Sequence, residues 1–184
     1  MRELLQAGAT PDLQSKAGDT ALMRTANQGN PTVAVALLKA GATPDLKNKD
    51  GVTALMGAAG TGHAAVTEAL LQAGAKHDLQ TKDGSTALTF AAQGGHAAVA
   101  EALLKAGAKL DLKNKHGVTA PVMAAQGGHA AVAEAMLKAG AKPDLQTKDS
   151  SMMPGSDSHP LIFTHGSLAV ASLPTHDAHV NRRT

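Results

Sequence analysis

Residues Gly51–Ala75 read GVTALMGAAGTGHAAVTEALLQAGA. Thr53 stands before a short run of Ala, Leu and Met, where its hydroxyl can accept one of the unpaired amide hydrogens that open a helix. Gly60-Thr-Gly62 ends that run. The pattern predicts a second helix after His63, with Val66, Leu70 and Leu71 at i, i+4 and i+5 forming one apolar stripe. Gly74 then falls where a left-handed residue closes a helix. The stretch from Ala75 to Gly84 is polar, rich in Asp and Lys, and reads as a turn or hairpin connection.

The same unit recurs. Gly18, Gly51, Gly84 and Gly117 are spaced by 33 residues, and Thr20, Thr53, Thr86 and Thr119 keep step with them. Gly41, Gly74, Gly107 and Gly140 do the same. The segment AAQGGHAAVAEALLKAGAK of Ala91–Lys109 returns at Ala124–Lys142 with Leu103 replaced by Met136. Complete units span 17–49, 50–82, 83–115 and 116–148. In the first of them, Asn30-Pro31 supplies a good N-cap followed by proline where a helix start tolerates it. One unit cannot bury its own stripe, but stacked neighbours can, and about three are needed for stability.

The pattern from Gly51 to Ala75, G-x-T-A-L-M-x-A-A-x-x-G-H with a later Val and Leu-Leu pair before Ala-Gly-Ala, resembles the ankyrin repeat. The resemblance covers residues 1–148. It implies an all-α solenoid of stacked helix-turn-helix units with hairpin-like loops along one edge, and a function of non-covalent protein binding. It also implies a contact face, on the concave side, made of the loop tips and the first helix of each unit. By position these are Lys16, Ala17, Asp19, Asn27 and Gln28 in the first unit and Lys49, Asp50, Val52, Gly60 and Thr61 in the second. The third gives Lys82, Asp83, Ser85, Gln93 and Gly94, and the fourth Lys115, His116, Val118, Gln126 and Gly127. No Trp, Tyr or Arg is among them, and those types dominate binding hot spots.

The chain departs from the family pattern in places. The proline of the family's T-P-L-H is Ala21, Ala54, Ala87 and Ala120, and its histidine is Met23, Met56, Thr89 and Val122. The usual loop aspartate is Ser15, Asn48, Thr81 and Asn114. These exchanges are expected to remove polar links between units. Pro121 replaces the leucine found at 22, 55 and 88. It falls in a first helical turn, where proline is tolerated, at the loss of a leucine whose burial contributes roughly 1.5–3 kcal/mol.

At the N-terminus, Leu4-Leu5-Gln6-Ala7-Gly8 matches the close of a second helix, Leu70 to Gly74, so residues 1–16 read as a partial unit. Ser150 stands where the next repeat glycine is due, and residues 149–184, rich in Ser, His and Pro, read as a disordered tail with a short apolar piece from Leu168 to Leu173.

The totals agree with a thin helical stack. The 184 residues are 43% hydrophobic but 1% aromatic, only Phe90 and Phe163, so no deep centre filled by large rings is expected. The formal net charge of +2 is too balanced to argue for nucleic acid or an anionic membrane. The absence of Cys excludes disulfides, thiolate metal sites and cysteine nucleophiles. The first residues lack the charged start and apolar core of a signal peptide, and no apolar run reaches the length of a membrane span. A cytoplasmic, monomeric protein is the resulting expectation.

Three patterns suggest chemistry and do not sustain it. His63, His96 and His129 form a column, but one imidazole per unit cannot converge on a metal when packed helices lie roughly 8–10 Å apart. The resemblance instead gives that histidine a role in fixing the turn between helices. Gly57-Ala-Ala-Gly60-Thr-Gly62 resembles a phosphate loop but lacks the following Lys and the strand before it. The tail holds one His-x-x-His and a terminal Arg182-Arg183, too little for a metal or nucleic-acid site. No cofactor is expected. The expected function is a protein-interaction scaffold; the alternative is a recognition module or spacer belonging to a larger enzyme or effector.

Overall fold

The computed structural model describes residues 10–141, together with Phe163–Thr164 and Ser167–Leu168. The readings of residues 1–8, of the end of the fourth unit and of most of the tail lie outside the described residues. The chain falls into two units, Met1–Ser151 and Met152–Thr184. In the second, Phe163–Thr164 pairs antiparallel with Ser167–Leu168.

In the first unit the described residues form eight helices in four pairs. These are α1 Ala21–Gln28 with α2 Pro31–Lys39, and α3 Ala54–Thr61 with α4 Ala64–Gln72. Next come α5 Ala87–Gly94 with α6 Ala97–Lys105, and α7 Ala120–Gln126 with α8 Ala130–Lys138. The first helices pack in series, α1 on α3, α3 on α5 and α5 on α7, and the second helices form a parallel layer, α2 on α4, α4 on α6 and α6 on α8. This is the all-α repeat solenoid that the period predicts.

The local chemistry is as the sequence implies. The Thr20, Thr53 and Thr86 hydroxyls accept the amides of Met23, Met56 and Thr89 at 3.2, 3.4 and 3.3 Å. Thr89 returns a bond, accepting the Thr86 amide at 3.3 Å, which completes a capping box. Asn30 caps α2 by accepting the Val33 amide at 3.1 Å, with Pro31 in the first turn. Between the layers, Leu22, Leu37, Leu55, Leu70, Leu88 and Leu103 are fully buried with Val66, Val99, Val132 and Met136. Alanines such as Ala26, Ala58, Ala59, Ala91 and Ala92 fill the remaining contacts and let the helices approach closely.

The fourth unit is the exception. Its cap residue, Thr119, is buried, yet its hydroxyl has no hydrogen-bond partner among the described residues. Pro121 sits in the first turn of α7 and is buried where the other units bury a leucine. A buried hydroxyl without a partner costs free energy, whereas one that caps a helix stabilises by about 1 kcal/mol. Thr119→Val is therefore expected to leave the urea midpoint unchanged or raise it. Thr53→Val should lower stability by about 1 kcal/mol. Equal losses in the two variants would contradict this account of the fourth unit.

Candidate partner-binding face

The loops between units are built by their own polar residues. Asn48 Oδ1 accepts the amides of Asp50 and Val52 at 3.0 and 2.9 Å, and Asn114 Oδ1 accepts those of His116 and Val118, both at 3.0 Å. Ser15 Oγ serves Ala17 and Asp19 at 3.2 Å, and Thr81 Oγ1 serves Ser85 at 3.1 Å. Each loop then joins the next through its backbone. The Lys49 amide donates to Ala17 O at 3.0 Å, Lys82 to Asp50 O at 3.0 Å and Lys115 to Asp83 O at 2.7 Å.

Side chains add further links between units. Asp12, Asp45 and Asp78 accept the amides of Thr43, Lys76 and Lys109, one unit on, at 2.9, 2.9 and 3.0 Å. Gln14 bridges Gly18 O and Lys47 O at 2.7 and 3.0 Å, and Gln80 bridges Gly84 O and Lys113 O at 2.7 and 3.3 Å. Asn48 Nδ2 donates to Asp19 Oδ1 at 2.9 Å. The expected loss of polar links therefore does not occur at the loops. A neutral Asn, Ser or Thr accepts the same amides that a carboxylate would, because the turn needs only a side-chain oxygen at that place. Met23, Met56 and Val122 do lack polar groups and are buried instead.

The histidine column fastens the turns at the other end of the helices. His63 Nε2 donates to Asn27 O at 3.2 Å, His96 Nε2 to Gly60 O at 3.2 Å and His129 Nε2 to Gln93 O at 3.1 Å. A carbonyl can only accept, so Nε2 is the donor in each bond. Each ring lies against the glycine that ends the first helix of the unit before, Gly29, Gly62 and Gly95. Among the described residues no group of three or more His, Asp or Glu could hold a metal ion. The glycine-rich run is helical from Gly57 to Thr61, so it forms no phosphate-cradling loop.

Most of the residues implied for the contact face reach solvent and are spared from this framework. Lys16, Lys49, Lys82 and Lys115 are exposed at the loop tips, with Asp50 and His116 beside them. No ammonium of the four joins an ion pair among the described residues. Asn27, Gln28, Thr61, Gln93 and Gln126 are exposed at the far ends of the first helices. Val52, Val118, Asp19 and Asp83 are half-buried. Thr61 turns its hydroxyl back to Gly57 O at 2.8 Å. Ser85 is different: it is only 6% exposed, and its hydroxyl donates to Asp83 Oδ2 at 3.0 Å. Its hydroxyl is engaged within the loop. The Thr81 hydroxyl, more than offsetting burial and aided by that of Ser85, holds the Asp83 carboxyl below the usual carboxylate range, so it stays charged on this face.

One column is invisible to a reading of turns and caps. Arg24, Gly57, Phe90 and Met123 occupy the same place in successive first helices, and they share a face with the helix-end residues three and four positions on. Arg24 is exposed, and the other three are half-buried. The column sets a charged residue, a glycine, an aromatic and a thioether at equivalent places.

The outer layer is plainer. A shallow groove of about 410 Å³ between α6 and α8 is lined by Ala97, Glu101, Leu104, Ala131, Glu134 and Lys138, among others. The Lys138 ammonium meets Glu134 at 2.9 Å, a pair four apart on one exposed helix face. Among the described residues no helix is long and apolar enough to cross a membrane.

Comparison with curated proteins gives no match. A family model described as ankyrin repeats in three copies matches residues 1–81 and 66–147. Together with the stacked helix pairs, the joined loops and the histidine clasps, that match is decisive: the chain belongs to the ankyrin repeat family.

Proposed function

We propose that this ankyrin array is a non-catalytic scaffold that binds a partner protein on the face made by its loop tips and first helices. Ankyrin repeats are in general protein-interaction modules. The observation that carries the finer reading is a division of labour among the polar side chains. Asp12, Asp45, Asp78 and the three histidines are spent on holding units together, and Asn48, Thr81 and Asn114 on shaping the loops. Lys16, Lys49, Lys82, Lys115, Asp50, Asn27, Gln28, Gln93 and Gln126 stand exposed at the loop tips and first-helix ends. Such a surface of unspent groups on a rigid stack suits recognition. The array is taken as residues 1–148, with 149–184 as a separate segment.

Affinity capture with the full chain as bait tests the reading. A specifically retained protein should be lost when loop-tip lysines are reversed in charge, and kept when Glu101 and Glu134 on the outer helices are changed to Ala. The opposite pattern would place the site on the outer layer.

A further inference from the structure

We propose that the Asp50-Gly51 peptide, at the tip of the second loop, is a site of spontaneous covalent modification: the aspartate closes to a succinimide and reopens as isoaspartate, while the equivalent Asp83-Gly84 is protected. The chemistry needs only water and does not depend on what the array binds.

Asp50-Gly51 and Asp83-Gly84 are the only Asp-Gly sequences in the chain, and Asn-Gly is absent. The first and fourth units carry Ala17-Gly18 and His116-Gly117 at the same place. A glycine after aspartate has no Cβ to hinder approach to its own nitrogen. The Gly51 nitrogen attacks Cγ of Asp50. An N–Cγ bond forms, a Cγ–O bond breaks, and the hydroxyl of the protonated carboxyl leaves with the amide proton as water. Water that reopens the ring at Cγ restores aspartate. Water that opens it at the α-carbonyl leaves Gly51 joined through Cγ, with one extra methylene in the main chain. Nothing is oxidised or reduced, and the final mass is unchanged.

The glycine nitrogens of the two sites start alike. Gly51 donates to Asn48 O and Gly84 to Thr81 O, each at 3.0 Å. Their φ values are +82 and +83. The carboxyls differ. Asp83 is half-buried, and both its oxygens are held, Oδ1 by the Thr81 hydroxyl and Oδ2 by that of Ser85 at 3.0 Å. The Thr81 bond above all, aided by that of Ser85, outweighs burial and keeps Asp83 ionised. An ionised carboxyl has no hydroxyl to expel.

Asp50 is exposed, and among the described residues its carboxylate joins no hydrogen bond or ion pair. Two exchanges account for this. Where the third unit has Thr81 and Ser85, the second has Asn48 and Val52. Asn48 Oδ1 is taken by the amides of Asp50 and Val52, and its Nδ2 donates to Asp19. Valine offers no donor. The Asp50 side chain is therefore free to swing over the Gly51 nitrogen.

The product falls on a seam between units. Asp50 O accepts the Lys82 amide at 3.0 Å, and the Gly51 backbone faces Thr81 and Lys82. An added methylene displaces that carbonyl, so modified chains should unfold at a lower urea concentration than unmodified ones.

Incubation of the full chain at physiological pH and temperature, followed by isoaspartyl methyltransferase labelling and peptide mapping, tests the proposal. Isoaspartate should accumulate at residue 50 at least about fivefold faster than at residue 83, the effect of one hydrogen bond that must break before attack. In urea, with the turns lost, the two sites should react at equal rates. Asn48→Thr with Val52→Ser gives Asp50 the hydroxyl pair of the third unit and should slow it to the rate of Asp83. Thr81→Asn with Ser85→Val should release Asp83. Each exchange introduces a residue that another unit carries at that place, and circular dichroism checks that the helices remain. Equal rates in the folded chain, or no isoaspartate at either site, would overturn the proposal. So would a difference that persists in urea, or one left unmoved by Asn48→Thr with Val52→Ser.

Discussion

Gly51→Ala is expected to lower the free energy of unfolding by about 2–3 kcal/mol, the combined effect of backbone strain and a steric clash. Gly51 has φ +82, a region that residues with a Cβ rarely enter. A Cβ there would lie 3.0 Å from the Lys82 amide nitrogen and 3.1 Å from Thr81 Cα, both backbone atoms of the next loop. Neither can move aside, since Lys82 donates to Asp50 O at 3.0 Å and Thr81 donates to Ser85 O at 3.0 Å. The substitution thus strains its own loop and pushes apart the seam between two units. Gly74→Ala separates the two effects. Gly74 has a similar φ of +83 but no atom within 4 Å of its would-be Cβ, so it should cost only the backbone term, roughly 1 kcal/mol. Urea unfolding of the full chain measures both. Equal losses would mean that contact between loops contributes little to stacking.

The second large effect is on binding. Lys49→Glu, Lys82→Glu and Lys115→Glu together should weaken the complex with a captured partner by about tenfold to a hundredfold at low salt. The difference should shrink as sodium chloride is added, because exposed charges are screened over roughly 10 Å at 0.1 M. Stability should change little. Only the backbone amides of these residues take part in the loop seam, and their side chains are exposed. The Asp83 carboxylate would lose the attraction of Lys115 but keep its Thr81 and Ser85 bonds. Changing Glu101 and Glu134 to Ala should affect affinity by less than about twofold, as usual for charges outside a contact.

The helices were legible in the sequence because their signals are local. Thr53 before an apolar run, Asn30-Pro31, and Gly62 and Gly74 after helix ends each act within a few residues, and the structure uses all of them. The links between units were less legible. Asp78 means nothing until stacking brings the Lys109 amide to 3.0 Å, and His96 is only a turn residue until Gly60 O lies 3.2 Å from its ring. Such bonds join residues 31 and 36 apart, so they depend on how units settle on one another and not on any local preference. Ser85 depends on closure in the same way: it is buried and bonded to the Asp83 carboxylate only once the loop has formed.

The most direct test of the central claim is amide hydrogen exchange on the full chain, alone and with its captured partner. The account predicts slowed exchange in the loops at 16–19, 49–52, 82–85 and 115–118 and in α1, α3, α5 and α7, with α2, α4, α6 and α8 unchanged. Slowing confined to the second helices, with loops and first helices exchanging as in the free protein, would contradict it.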